Sequence, residues 1–296
     1  MKKRHSFVIL LFVALNVYSQ NYDSVVLNSA HVRTLRSNII ENSEYVLNIA
    51  LPPNYQDTTL KYPVVYMLDA YEIFGLQLQT YQQLKFFETV PSMILVGINY
   101  KIQEQDFYDG LQEYLYIRSR DFTPTFLTNE QIIEMHGKGF ASYFNDSGGA
   151  EKFLRFLNEE LLPFIDSEYR TIPNDRGILS YSLGGLFSTY VLFHAPETFQ
   201  KYFIGSPALW WDDKVVFKFY DQNKLKSLEK PAKVYLSVGE KEGKGLRNSW
   251  QQLKDFLESK EDTNILFQSE ILSGEYHLTG IGLAHSRAFR RLYGKY

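Results

Sequence analysis

No cysteine occurs anywhere in the 296 residues. That excludes disulfides, thiolate metal sites, a thiol nucleophile and a lipid anchor attached to a cysteine behind the leader. Charge of one sign is just as scarce: 31 Lys and Arg stand against 34 Asp and Glu, for a formal net charge of −3. No long basic run lies beyond the extreme N-terminus, so the concentrated positive face that nucleic acid demands is missing. No nucleic-acid partner is expected. Histidine is rare too, with six in the chain, and none is placed in close pairs or in a His-Glu-x-x-His spacing. A zinc hydrolase is therefore disfavoured, and neither a metal nor an organic cofactor is expected.

Long apolar runs are also few. One covers residues 7–15, behind a basic patch of Lys2, Lys3, Arg4 and His5, and is followed by Val17 and Ser19 ahead of Gln20. The run is short for a membrane span, and its flanks match those of a cleaved leader. The expectation is a signal peptide over residues 1–19 and one mature domain over 20–296. The domain would be exported to a periplasm or the medium, with no stable membrane insertion after cleavage.

What the chain does have is apolar and aromatic material. Hydrophobic residues make up 45% and aromatics 16%, enough for one sizeable core. Residues 44–50 alternate polar and apolar, as a half-buried strand does, and stop at Pro52-Pro53. Residues 62–68 and 92–98 are nearly continuous apolar runs, which suit strands covered on both faces. Further strands are expected over 176–180, 233–238 and 265–272, and helices over 74–87, from 149 onward and over 280–292. Strands alternating with helices imply βαβ units and a mostly parallel central sheet with helices on both faces. The stretch 101–147 reads as long and irregular, an insertion over the active site rather than a second domain.

The strongest local signal runs from Gly177 to Leu186: a short apolar strand, a turn at Tyr181-Ser182, then Gly184-Gly185 and helix formers. This is how a nucleophile elbow reads, with the Ser182 hydroxyl projecting from a tight strand-to-helix turn. Ser180 stands where that pattern usually has glycine. In this arrangement the acid and base follow the serine in chain order. His277 comes directly after the last expected strand and is the candidate base, whereas His285 falls inside the final helix. Glu242, three residues past Gly239, is the first candidate for the acid and Glu240 the second. The amides of Leu183, after the nucleophile, and Tyr71, after the third strand, are the candidate oxyanion donors.

These pieces come with further markers: residues 63–69 (Pro-Val-Val-Tyr-Met-Leu-Asp), 118–125 (Arg-Ser-Arg-Asp-Phe-Thr-Pro-Thr), 160–166, and 206–211 (Ser-Pro-Ala-Leu-Trp-Trp). Together they resemble the Putative esterase family of α/β hydrolases. That family includes siderophore (enterochelin and ferri-bacillibactin) esterases, S-formylglutathione hydrolases, and feruloyl and acetylxylan esterases. The resemblance implies the α/β-hydrolase fold, Ser182 as nucleophile and His277 as base, and it is strongest toward the siderophore-esterase branch. The acid stays open between Glu242 and Glu240. Trp210 and Trp211 offer π faces for a ring-bearing substrate, or else core packing. Arg118 and Arg120 offer charge for an anionic substrate, or else an ion pair with Asp121. The substrate expected is a small-molecule or glycan-linked ester. A carbohydrate esterase, an acyltransferase on the same site and a catalytically silent binding homologue remain the alternatives.

Overall fold

The computed structural model describes residues 27, 29–53, 55–102, 107–141, 144, 146–260 and 264–294; the leader expected over 1–19 lies outside them. The strands are β1 (Ala30–Arg36), β2 (Glu44–Ala50), β3 (Tyr62–Met67), β4 (Ile94–Tyr100), β5 (Thr171–Tyr181), β6 (Lys201–Gly205), β7 (Ala232–Gly239) and β8 (Ile265–Leu272). All eight lie in one sheet, in the order β1-β2-β4-β3-β5-β6-β7-β8. The β1/β2 and β2/β4 pairs are antiparallel, and every pair from β4/β3 to β7/β8 is parallel.

The helices are α1 (Ala70–Phe86), α2 (Phe107–Phe122), α3 (Asn129–His136), α4 (Lys138–Ala141), α5 (Ala150–Phe156), α6 (Leu162–Glu168), α7 (Leu183–His194), α8 (Gln222–Lys226), α9 (Lys244–Glu258) and α10 (Gly280–Tyr293). A π-helical turn over Leu157–Leu161 joins α5 to α6. Alternation along the strands divides the core between the two faces. Val65, Met67, Leu179 and Phe203 pack beneath α1 and α10. Val64, Tyr66, Ile178 and Ile204 pack on the other side with residues of α2, α5, α6, α7 and α9. Central β3 and β4 are buried at every position, which is why their sequences read as continuous apolar runs. Helix α7 is apolar all round because it is covered all round, with every residue from Leu183 to Phe193 buried.

The expected fold class holds, with two corrections. The segment 101–147 is not irregular, because it carries α2, α3 and α4. Its buried side of Tyr114, Phe122 and Ile132 is interleaved with buried Ser119 and Asp121, and that mixture blurs the helical period. Strands β1 and β6 also went unread. The first is an exposed edge and the second only five residues long, so neither gives a sustained pattern.

Candidate active site

Ser182 joins β5 to α7 at φ 58, ψ −117, a region that residues with a Cβ rarely occupy. Its amide donates to the Gly205 carbonyl at 2.9 Å, and its carbonyl accepts from the Ala208 amide at 3.0 Å. The turn is therefore held from outside, by the end of β6. Gly205 is what lets β6 come so close, since a Cβ there would lie 2.4 Å from the Tyr181 ring. Ser180, in the usual glycine position, is only 1% exposed, and its hydroxyl donates to the Phe203 carbonyl at 2.7 Å. A buried hydroxyl without a partner costs about 1–3 kcal/mol; this one has a partner, so the hydroxymethyl group is accommodated.

The candidate base and acid meet. His277 Nδ1 lies 2.8 Å from Glu242 Oε2, with the imidazole 31% exposed and the Glu242 side chain 0% exposed. The other carboxylate oxygen, Oε1, accepts from the Gly239 amide at 2.8 Å and from Ser206 Oγ at 2.6 Å. Burial works to raise the carboxyl pKa, but the hydrogen bonds from His277, Ser206 and Gly239 outweigh it and hold the group below its ordinary value. Glu240 points elsewhere: it is exposed and accepts from the Gly274 amide and Ser273 Oγ. The geometry favours Glu242 over Glu240.

The imidazole also rests on the ring of Tyr181, the residue before the elbow serine, with centroids 5.1 Å apart. Base and nucleophile thus share one neighbour. Ser182 Oγ makes no hydrogen bond among the described residues, and such contacts are commonly long without substrate. His285 is separate: fully buried, bonded through Nδ1 to the Ile281 carbonyl at 2.8 Å, and pushed down by burial to about 4. Among the described residues no group of three or more His, Asp or Glu side chains is arranged to hold a metal ion.

Both candidate oxyanion donors lie in first helical turns, where backbone N–H groups have no intrahelical acceptor: Tyr71 in α1 and Leu183 in α7. The two turns adjoin, since a Cβ on Gly184 would lie 3.4 Å from Asp69 Oδ2. Asp69 is the N-cap of α1 at φ 53, and its side chain caps nothing. It is engaged instead by Arg118, through Nε at 2.7 Å and Nη2 at 2.8 Å, and by the Tyr114 hydroxyl at 2.7 Å. Arg118 Nη2 also reaches the Tyr181 carbonyl at 3.3 Å. One guanidinium therefore ties the start of α1 to the elbow.

Several assignments change. Arg118 pairs with Asp69, not Asp121, and is 14% exposed. Arg120 takes Asp121, which is also bonded by the Tyr45 hydroxyl. Neither arginine stands open for an anionic substrate. Trp211 is fully buried and donates through Nε1 to Thr125 at 3.1 Å, so it anchors the inserted segment and lines no pocket. Trp210 is half-buried and alone of the pair keeps that possibility. Sequence reasoning missed Asp69, Tyr114, Tyr181 and Ser206. Two of these lie within the markers quoted above, at 63–69 and 206–211, without any signal of what they touch.

A model of the family described as Putative esterase matches residues 37–291. The chain is 29% identical over 259 residues to the ferri-bacillibactin esterase BesA of Bacillus subtilis, covering 84% of this chain and 85% of that protein. The crystal structure of the BES protein from Bacillus cereus superposes with a TM-score of 0.76 at 25% identity, over 92% of this chain and 97% of that one. The siderophore hydrolase EstB from Aspergillus nidulans shares the fold, with a TM-score of 0.73 at 18% identity, over 93% and 99%.

Proposed function

The chain belongs to the Putative esterase family and hydrolyses carboxylic esters, and we propose that it does so by two-step acyl transfer through Ser182, His277 and Glu242. The observation that carries this reading is the Glu242–His277 contact of 2.8 Å, supported by an elbow serine held at positive φ and by the Tyr181 ring that precedes this serine and lies against the imidazole. Glu242 fixes the tautomer with Nδ1 protonated and leaves Nε2 to accept the serine proton. Ser182 Oγ attacks the ester carbonyl as that proton moves to Nε2, and the oxyanion forms against the Leu183 and Tyr71 amides. His277 returns the proton to the departing alkoxide. Water, deprotonated by the same nitrogen, then releases the acid and restores the serine.

A ferric siderophore is the substrate class we favour, on the strength of what the B. subtilis relative is named for. Half-buried Trp210 supplies a π face for a catecholate ring. Export agrees with such a substrate, and the basic patch and short apolar run before residue 20 support it. No helix among the described residues is long and apolar enough to cross a membrane.

The test is a fluorophosphonate probe on the mature protein, followed by ester hydrolysis. Ser182→Ala should abolish labelling and lower kcat by roughly 10⁴-fold or more. Labelling of the variant at the wild-type rate removes Ser182 from the mechanism. Among ferric triscatecholates, feruloyl sugars and acetylated xylan, the first should show the highest kcat/KM.

A further inference from the structure

The Glu242 carboxylate has two unlike ends. Oε2 serves His277, while Oε1 sits in a cluster with two hydroxyls: Ser206 Oγ at 2.6 Å, the Tyr181 hydroxyl at 3.1 Å, and those two oxygens 2.9 Å from one another. Three close contacts share two hydroxyl protons. The consistent arrangement has Ser206 donating along the shortest contact, to Oε1, and Tyr181 donating to Ser206 Oγ or to Oε1. Either way, Oε1 is saturated by donors, the Gly239 amide among them, and the carboxylate is fixed in one rotamer with Oε2 turned to the imidazole.

Two further observations set these residues apart from ordinary packing. Ser206 is a non-glycine residue at φ 40 and 0% exposed, a backbone state in which glycine would be unstrained. Strain kept in that place points to what the side chain does. Its amide donates to the Ser237 carbonyl at 2.7 Å, which pins it between the strand of the elbow and the strand of the acid. Tyr181, for its part, precedes the nucleophile in the chain, lies against the base with its ring tilted to the imidazole, and hydrogen-bonds the acid.

We propose that Ser206 and Tyr181 are positioning residues, a pair of hydroxyls that holds Glu242 ionised and aimed so that His277 presents one tautomer to Ser182. This rests on the Ser182–His277–Glu242 reading and deepens it.

The experiment is steady-state hydrolysis of a nitrophenyl ester by the full mature chain carrying Ser206→Ala or Tyr181→Phe, each made in the wild-type and in the Glu242→Ala background. In the wild-type background each should lower kcat by about 10- to 100-fold, the range for losing a hydrogen bond to a charged group, with KM nearly unchanged. The acidic limb of the kcat profile should move to higher pH, because a carboxylate with fewer donors protonates more readily. In the Glu242→Ala background the same changes should alter kcat by no more than about twofold, since nothing remains to be held. Equal losses in both backgrounds would overturn the inference and leave the pair as packing around the elbow. Tyr181→Phe keeps the ring against His277, so it gives a reading even if Ser206→Ala does not fold. Should Ser182→Ala still take the probe, the mechanism itself fails. Should Ser182→Ala lose the probe while Ser206→Ala and Tyr181→Phe keep wild-type kcat, the positioning role alone falls.

Discussion

Two carboxylates flank the elbow, each just past the C-terminal end of a parallel strand: Asp69 after β3 and Glu242 after β7. Both are drawn into the protein by several hydrogen bonds, yet their partners differ in kind. Asp69 faces the Arg118 guanidinium and a tyrosine hydroxyl. Glu242 also has a tyrosine hydroxyl, but where Asp69 has a guanidinium it has an imidazole, with a serine hydroxyl and a backbone amide besides. A guanidinium stays protonated at any working pH, so the Asp69 pair is a fixed strut between α1 and the elbow. On the proposed mechanism the imidazole takes up and returns a proton in each turnover, so the same kind of carboxylate beside it stabilises a charge that comes and goes. On the proposed mechanism the partner, more than the acid, decides which end of the site is scaffold and which is chemistry.

Of the two carboxylates, the larger effect on turnover is expected at Glu242. Glu242→Gln keeps the shape and removes the charge that, on the proposed mechanism, fixes and stabilises the protonated imidazole. It should lower kcat by about 10⁴-fold, as the analogous change does in a serine protease triad, with little effect on KM. A loss under about tenfold would mean that a serine–histidine pair suffices.

Breaking the strut should look different. Arg118→Met leaves a largely buried Asp69 without its cation, a change that costs about 3 kcal/mol of stability. Adding Asp69→Asn, which tolerates the positive φ of that position, should restore most of it, because stranding one charge is costlier than removing both. Denaturant melts of the single and double variants decide this. The single variant should also lose kcat, by less than the roughly 10²- to 10³-fold that outright removal of an oxyanion donor costs.

Acid sharpens the comparison further. The Glu242 carboxyl is held below its ordinary value of 4.5, so its contribution to stability is fully present above that pH and fades as pH falls through the lower folded value. His285 acts over a higher window. Its imidazole is held near 4 against 6.5 in the open chain, so the unfolded state binds the proton first and stability falls between about pH 6.5 and 4. His285→Leu should flatten that decline in melts at stepped pH, and Glu242→Gln should flatten only what remains below about 4.5.

How much of this could be read in the chain differs between the two carboxylates as well. Ser182, His277 and Glu242 could be picked out as candidates because each follows a recognisable strand and the order nucleophile, acid, base is constrained in this fold. The parallel strands announced themselves through unbroken apolar runs, and α7 through its glycines. Asp69 was not legible. It sits at the end of an apolar run where any turn residue would serve, and its partner Arg118 is 49 residues away in a segment whose helices were masked by buried polar groups. Arg118 and Arg120 look interchangeable in sequence, and a two-residue step along α2 sends one toward the elbow and the other toward Asp121. Trp210 and Trp211 part in the same way, one half-buried and one sealed in the core. Side-chain direction at a turn depends on contacts made from far along the chain, and local pattern carries no record of them.

The smallest effect expected lies two residues from Glu242. Glu240 shares its loop with Glu242, but it is exposed and its oxygens take the Ser273 hydroxyl and the Gly274 amide. Those hydrogen bonds, the Gly274 amide first, hold its carboxyl below the ordinary value, so a lowered pKa does not by itself distinguish the working acid. Glu240→Gln retains an oxygen to accept from Gly274, and an exposed charge of this kind contributes little. Turnover at pH 7 should stay within about twofold of wild type. A loss comparable to that of Glu242→Gln would show that the loop carrying His277 depends on Glu240 for its position. The division between a catalytic and a bystander carboxylate would then have to be drawn by motion of that loop rather than by contact with the imidazole.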